Sequence, residues 1–307
     1  MEGLLATAVL EGFIEADDDE RRAIAAAHRS AMATCLAIER RLLTVEASLP
    51  PSTSWAVVKG PAIAHLDELD PALRSFGDLD VLVSASALGA VHRLLTIAGG
   101  RRRYAEPARG FDRRFGKGAA FPMPDGTEVD VHRTLALGPW GLALDPDELL
   151  ARTAQLPLGG RSVPVLDRSG RFLHACYHAA LGDDPPRLVP LRDVALTLPS
   201  AQTWGSVLDR VTSARAEAVV ARALLTASCT LRWSPDHPAL HWARSFVPSR
   251  RDRRWMASYV GPRASSRART VRGIEALSGP RERLAYAAAV TAPTIRRHAF
   301  WWRTARP

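Results

Sequence analysis

The sequence predicts an α/β (α+β) protein: a small mixed β-sheet core, an N-terminal helical flank and a larger C-terminal helical region. Three observations predict it. Residues 18–47 are rich in Ala, Leu, Glu and Arg with apolar residues at helical spacing. Residues 54–137 read strand, helix, strand, helix, then two or three strands. From about residue 145 the pattern is helical almost to the end.

Each element has its own local reason. Residues 1–48 read as helical, with Asp17, Asp18 and Asp19 where they favour a helix N-terminus, and "SLPPSTS" ends the run. "WAVVKG" is a short β-branched strand closing on Gly60, and "PAIAHLDEL" starts a helix with Pro61 in its first turn. Residues 76–83, within "SFGDLDVLVS", form a strand entering the core. "SASALGAVHRLLTIAGG" is a helix that opens on small capping residues and closes on Gly. Extended segments follow with a turn at "PDGT", and "EVDVHRTL" alternates as a strand. A short hairpin, "LPLGGRSVPVL", precedes the helices "RFLHACYHAAL", "LVPLRDVALTL", "WGSVLDRVTSA" and "AEAVVARALLTASC". The expected units are 1–50, a helical flank; 51–144, the sheet core; 145–248, a helical domain; and 249–307, a basic helical tail.

Composition narrows the function classes. With 307 residues, 47% of them apolar, the chain can bury a sizeable core. The N-terminus is acidic and lacks the pattern of a signal peptide, and no apolar run is long enough to cross a bilayer, so a cytoplasmic protein is expected. Cys35, Cys176 and Cys229 are too few and too scattered for a disulfide framework or a zinc motif. The net charge of +9 is uneven: residues 249–307 hold fourteen arginines and three acids, and the remainder is slightly acidic. Lys59 and Lys117 are the only lysines in a chain that otherwise uses arginine.

The chemistry gathers around "DLDVLV". A strand sends alternate side chains to one face, so Asp78 and Asp80 point together, and two carboxylates side by side need a cation. In "TEVDVHR", Glu128, Asp130 and His132 share one face while Val129 and Val131 take the other. If the two strands are neighbours, three carboxylates converge. Oxygen ligands of this kind suit a hard divalent cation, above all Mg²⁺, with Mn²⁺ as an alternative. Such ions can clamp the attacking and leaving oxygens of a phosphoryl displacement.

These residues resemble a known family. The order Val57-Val58-Lys59-Gly60, Asp78-x-Asp80 and Asp130-x-His132 is similar to the DNA polymerase β-like nucleotidyltransferase superfamily. More narrowly it resembles the bacterial group in which Lys-Gly replaces the usual Gly-Ser signature and Arg74 precedes the Asp-x-Asp strand. The resemblance spans about residues 54–200. It implies a metal-dependent enzyme that moves a nucleoside monophosphate from an NTP, with pyrophosphate leaving. By the same likeness Asp78 and Asp80 hold the metals and the triphosphate, and Asp130 binds the metal nearer the attacking oxygen or helps to deprotonate it. Gly60 opens a helix whose amides face phosphate, Lys59 contacts phosphate, and Arg74 reaches the triphosphate. The group's similarity to enzymes of natural-product peptide pathways implies a peptide or small-molecule hydroxyl as acceptor, with nucleic acid not favoured. ATP is among the candidate NTPs. Phosphoryl or pyrophosphoryl transfer from a bound NTP, or a non-enzymatic nucleotide-binding module, are the alternatives.

Other features read more plainly. His174 and His178, at i and i+4, are expected to be packed, hydrogen-bonded histidines, with Asp193 a natural partner for one of them. "FGKGAAF" lacks P-loop spacing and reads as a strand or loop near the substrate. The tail carries Trp255, Tyr259, Phe300, Trp301 and Trp302 among its arginines, and reads as a packed helical arm or as a surface for an anionic partner.

Overall fold

The computed structural model describes residues 1–291. Its centre is a six-stranded mixed sheet in the order β3-β4-β2-β1-β6-β5. The strands are β1 (Trp55–Val57), β2 (Leu79–Val83), β3 (Gly118–Pro122), β4 (Glu128–His132), β5 (Thr153–Leu158) and β6 (Arg161–Leu166). β2 and β4 run parallel, in a register that sets Asp80 beside Asp130 and Leu82 beside His132. β1 is antiparallel to β2 and parallel to β6, while β3–β4 and β5–β6 are antiparallel hairpins.

Strand alternation separates two hydrophobic layers. Val57, Leu79, Val81, Val83, Val129, Val131 and Val165 face one side, against Ile38, Leu42 and Val45 of one helix and Leu88, Val91 and Leu95 of another. Ala56, Leu82 and Leu166 face the other side, where the C-terminal helices pack, led by Arg168–Leu181. Asp80 and Asp130 share the parity of Leu82, so they open toward this second layer.

The N-terminal flank, expected to be helical over 1–48, is two helices. Glu2–Leu10 is separated from Asp18–Ser48 by residues 11–17. The break is built into Asp17, whose carboxylate accepts from the Asp19 and Glu20 amides while Glu20 reaches back, a complete capping box. β2 starts at Leu79, so Asp78 lies just before the strand. The hairpin expected at the head of the helical domain belongs to the sheet, because Val165 of β6 pairs with Val57 of β1. The sheet therefore continues across the expected division at 144/145.

The tail is helical at Arg250–Met256, Ser266–Ala276 and 280–291. Trp255 is 1% exposed and meets Trp140 edge-on, with ring centroids 5.6 Å apart. Tyr259 is also buried and donates from its hydroxyl to the Leu137 carbonyl. This part packs on the preceding helices. Phe300, Trp301 and Trp302 lie outside the described residues.

Candidate active site

The carboxylates meet at the edge where β2 and β4 run side by side. Asp80 is buried, with a side chain 2% exposed, while Asp78 and Asp130 are half-exposed. The cation that the Asp pair demands is protein-borne: the Lys59 ammonium lies 3.0 Å from Asp80 Oδ2 and donates to Asp78 Oδ2 at 3.4 Å. His132 Nε2 sits on the other side, 2.7 Å from Asp80 Oδ1 and 3.3 Å from Asp130 Oδ2. Lys59, Asp78, Asp80 and Asp130, which belong together in the sequence reading, thus occupy one cluster, and His132 joins them.

Electrostatics treats the two neighbouring acids oppositely. Burial favours protonation of Asp80, but the His132 hydrogen bond and the Lys59 charge overcome it and hold Asp80 well below the usual carboxylate range. Burial and the charge of Asp80 push Asp78 up, only partly offset by Lys59. Burial disfavours the Lys59 ammonium, yet the two aspartates raise its pKa above that of a free lysine. Asp80 is the fixed anion and Asp78 the adjustable one.

The cluster suits a divalent cation. Asp80, Asp130 and His132 each offer a ligand atom, all within 4.8 Å of one another. Asp80 Oδ2 is buried, and among the described residues its partner is the Lys59 ammonium, in an ion pair without hydrogen-bond geometry. Three carboxylates face the single Lys59 ammonium, so negative charge is in excess, and the donors are mostly hard oxygen.

Gly60 and Arg74 serve the frame of the site. Gly60 has φ +55°, in the region that favours glycine, and leads into the short helix Pro61–Leu66. Arg74, expected to reach a triphosphate, is buried and turned away. Its Nε and Nη2 donate to Asp193 Oδ1 and Oδ2 at 2.7 and 2.6 Å, and Nη1 donates to the Gly60 carbonyl at 3.4 Å. A fork–fork pair of this kind uses the guanidinium's geometry fully, and it ties the Lys59-Gly60 turn to helix Leu188–Thr197. Asp193 is therefore the partner of Arg74 and of neither histidine.

A cavity of about 250 Å³ opens over Asp80 and Asp130. Lys59, Lys117, His132, His174, Tyr177 and His178 line it, together with Tyr259 and Arg269 from the tail. The expected hydrogen bonding of His174 fails: its Nδ1 is buried without a partner. Burial, with His178 and Lys59 adding to it, keeps His174 neutral, and burial followed by Lys59 lowers His178 to about 4. The signal for these histidines was strand parity, since the face that carries Asp80 and Asp130 faces helix Arg168–Leu181. Tyr259 and Arg269 have no local signal, because only long-range docking brings them to the cavity.

A family model described as uncharacterised nucleotidyltransferase matches residues 3–232, about three quarters of the chain. The chain belongs to this family. Its members are transferases by that description, and the matched span includes every strand and all of the carboxylates. Two solved structures are similar. The antibiotic-resistance factor ANT(2'')-Ia is 14% identical with TM-score 0.35, over 66% of this chain and 94% of that one. An antigenic nucleotidyltransferase-like protein from Paracoccidioides brasiliensis is 13% identical with TM-score 0.34, over 60% and 92%. No curated relative matches the chain. Among the described residues no helix is long and apolar enough to cross a membrane.

Proposed function

We propose that this family member transfers a nucleoside monophosphate from an NTP to a hydroxyl of a peptide or small-molecule acceptor, with a divalent cation at the carboxylate cluster. The observation that carries the reading is the parallel β2–β4 register, which sets Asp80 beside Asp130 on one face with Asp78 one step away. Family membership supplies the reaction class.

In this reading the acceptor oxygen attacks the α-phosphorus, the bond from α-phosphorus to the bridging oxygen breaks, and pyrophosphate leaves with that electron pair. Asp80 and Asp130 would hold the cation, with Asp78 beside them. When bound, Mg²⁺ or Mn²⁺ supplies Lewis-acid charge for the phosphate oxygens. Asp130, half-exposed at the mouth of the cavity, is placed to receive the acceptor proton. Lys59 keeps Asp78 and Asp80 together and leaves its remaining hydrogens for phosphate. Arg74 and Asp193 fix the turn that carries Lys59. Little covalent work falls to the protein, and rate comes from positioning and fixed charge.

The test is the fate of label. Protein, Mg²⁺ and NTP labelled at either the α or the γ phosphate are incubated with panels of hydroxyl-bearing peptides and small molecules. Transfer of α label with release of pyrophosphate is the predicted result. Transfer of γ label alone would replace nucleotidyl by phosphoryl transfer.

A further inference from the structure

The carboxylate cluster accounts for one end of the cavity. The same cavity is also lined by Lys117, just before β3, and Arg269, in helix Ser266–Ala276. Both are partly buried, and among the described residues neither is in a salt bridge with an acid, unlike the buried Arg74 with Asp193 and Arg171 with Asp67. Among the described residues Arg269 Nε is buried without a hydrogen-bond partner, and its Nη2 donates to the Ser266 hydroxyl at 3.2 Å. Leaving a guanidinium nitrogen dry and unpaired is costly, so such a group normally has a partner.

The wall is rigidly built. The Arg269 guanidinium lies 5.7 Å from the centre of the Tyr259 ring, and Tyr259 is pinned by its hydroxyl to Leu137. Gly138, at φ +90°, lets the 135–138 loop approach so closely that a Cβ there would lie 2.8 Å from the Tyr259 hydroxyl and 3.2 Å from Arg269 Cβ. Orphan polar atoms also concentrate here. Of eleven buried side-chain atoms without a hydrogen-bond partner among the described residues, five belong to residues lining this cavity: His132 Nδ1, His174 Nδ1, Tyr177 Oη, Arg269 Nε, and Asp80 Oδ2, which is ion-paired with Lys59. Such a concentration marks a polar ligand site.

We infer that Arg269 and Lys117 form a receptor for an oxyanion of the substrate, so that the tail, beyond the family-matched span, completes the binding site. The inference rests on the nucleotidyl-transfer reading for the identity of that substrate, and two sources share the chemistry: the NTP's own phosphates, or a phosphate or carboxylate on the acceptor. Arg269 supplies a planar donor fork and Lys117 a point charge, the pairing suited to a phosphate or carboxylate. Asp80 and Asp130, which line the same cavity, repel such an anion and so keep it on the two cations.

Calorimetric titration of the full chain with Mg²⁺–ATP, pyrophosphate and inorganic phosphate tests this, for wild type, Arg269→Gln, Arg269→Lys and Lys117→Met. Melting temperatures control for folding. Arg269→Gln should weaken at least one probe about tenfold or more, with Arg269→Lys recovering part of the loss. If the anion belongs to the NTP, ATP and pyrophosphate weaken together and phosphate adds nothing to ATP-saturated protein. If it belongs to the acceptor, ATP affinity is unchanged while phosphate still binds the ATP-saturated protein in an Arg269-dependent way. Arg269-dependent phosphate binding without any ATP binding would uphold the anion site and remove the nucleotide reading. Equal binding of every probe by wild type and Arg269→Gln, or no binding by wild type, overturns the inference.

Discussion

Asp78 and Asp80 are neighbours in sequence and opposites in energetics. Burial and Asp80 both disfavour the charged form of Asp78, so Asp78→Asn should leave stability unchanged or slightly raised while activity collapses. Asp80 is the acid that Lys59 and His132 serve, so Asp80→Asn should lose activity and also stability. Lys59→Met strands a buried carboxylate and should cost about 3–5 kcal/mol, a cost that adding Asp78→Asn reduces. Chemical denaturation of the four variants checks all of this, and equal stability of the Asp78 and Asp80 variants would contradict it. Arg74 makes a different prediction. If its guanidinium serves Asp193, Arg74→Gln and Asp193→Asn should each destabilise by a few kcal/mol, and the double variant by much less than their sum. Strict additivity in that cycle would contradict the structural role.

At the scale of elements, the tail's first helix is a packing element. Trp255→Ala removes the edge-on partner of Trp140 and should cost about 3–5 kcal/mol, read as a lowered unfolding midpoint. Unfolding unchanged by this variant would show that the helix does not dock. Much of the site was legible because strand periodicity is local: Asp130 and His132 share a face by parity, as do Asp78 and Asp80, and the β2–β4 pairing then brings the two strands together. Lys59-Gly60 stood out because lysine is rare in this chain and the turn requires glycine. Arg74 misled for a chemical reason. An arginine ahead of an acidic strand looks like a phosphate ligand, and only the tertiary structure brings Asp193, 119 residues away, to claim it. The β5–β6 hairpin was legible as a hairpin but not as a sheet member, since its pairing to β1 is a long-range contact. The helical reading of 1–48 ran through residues 11–17, although the acids at 17–19 had marked a helix start there; the capping box at Asp17 is that start.

Across the whole molecule, buried histidines set the acid limit. His178 and His92 are lowered to about 4, in both cases first by burial and then by a nearby cation, Lys59 or Arg102. Both stay neutral when folded but take up protons near pH 6.5 when unfolded, so stability should be flat above that value and fall as pH drops from about 6.5 to 4. Each contributes at most about 1.4 kcal/mol per pH unit in that window. Asp80 adds a further loss at lower pH, because its depressed pKa favours the folded state only while it is ionised, whereas raised Asp78 works in the opposite direction. Melting temperature against pH should show a shallower acid slope in His178→Gln than in wild type, and an unchanged slope would contradict the assignment. The central claim is that the β2–β4 carboxylates hold a divalent cation for nucleotidyl transfer. Mn²⁺ titration followed by electron paramagnetic resonance, with ATP present, tests it without knowledge of the acceptor. Wild type should take up Mn²⁺, and uptake should be weakened at least about tenfold in both Asp80→Asn and Asp130→Asn. Equal uptake by wild type and both variants would contradict it.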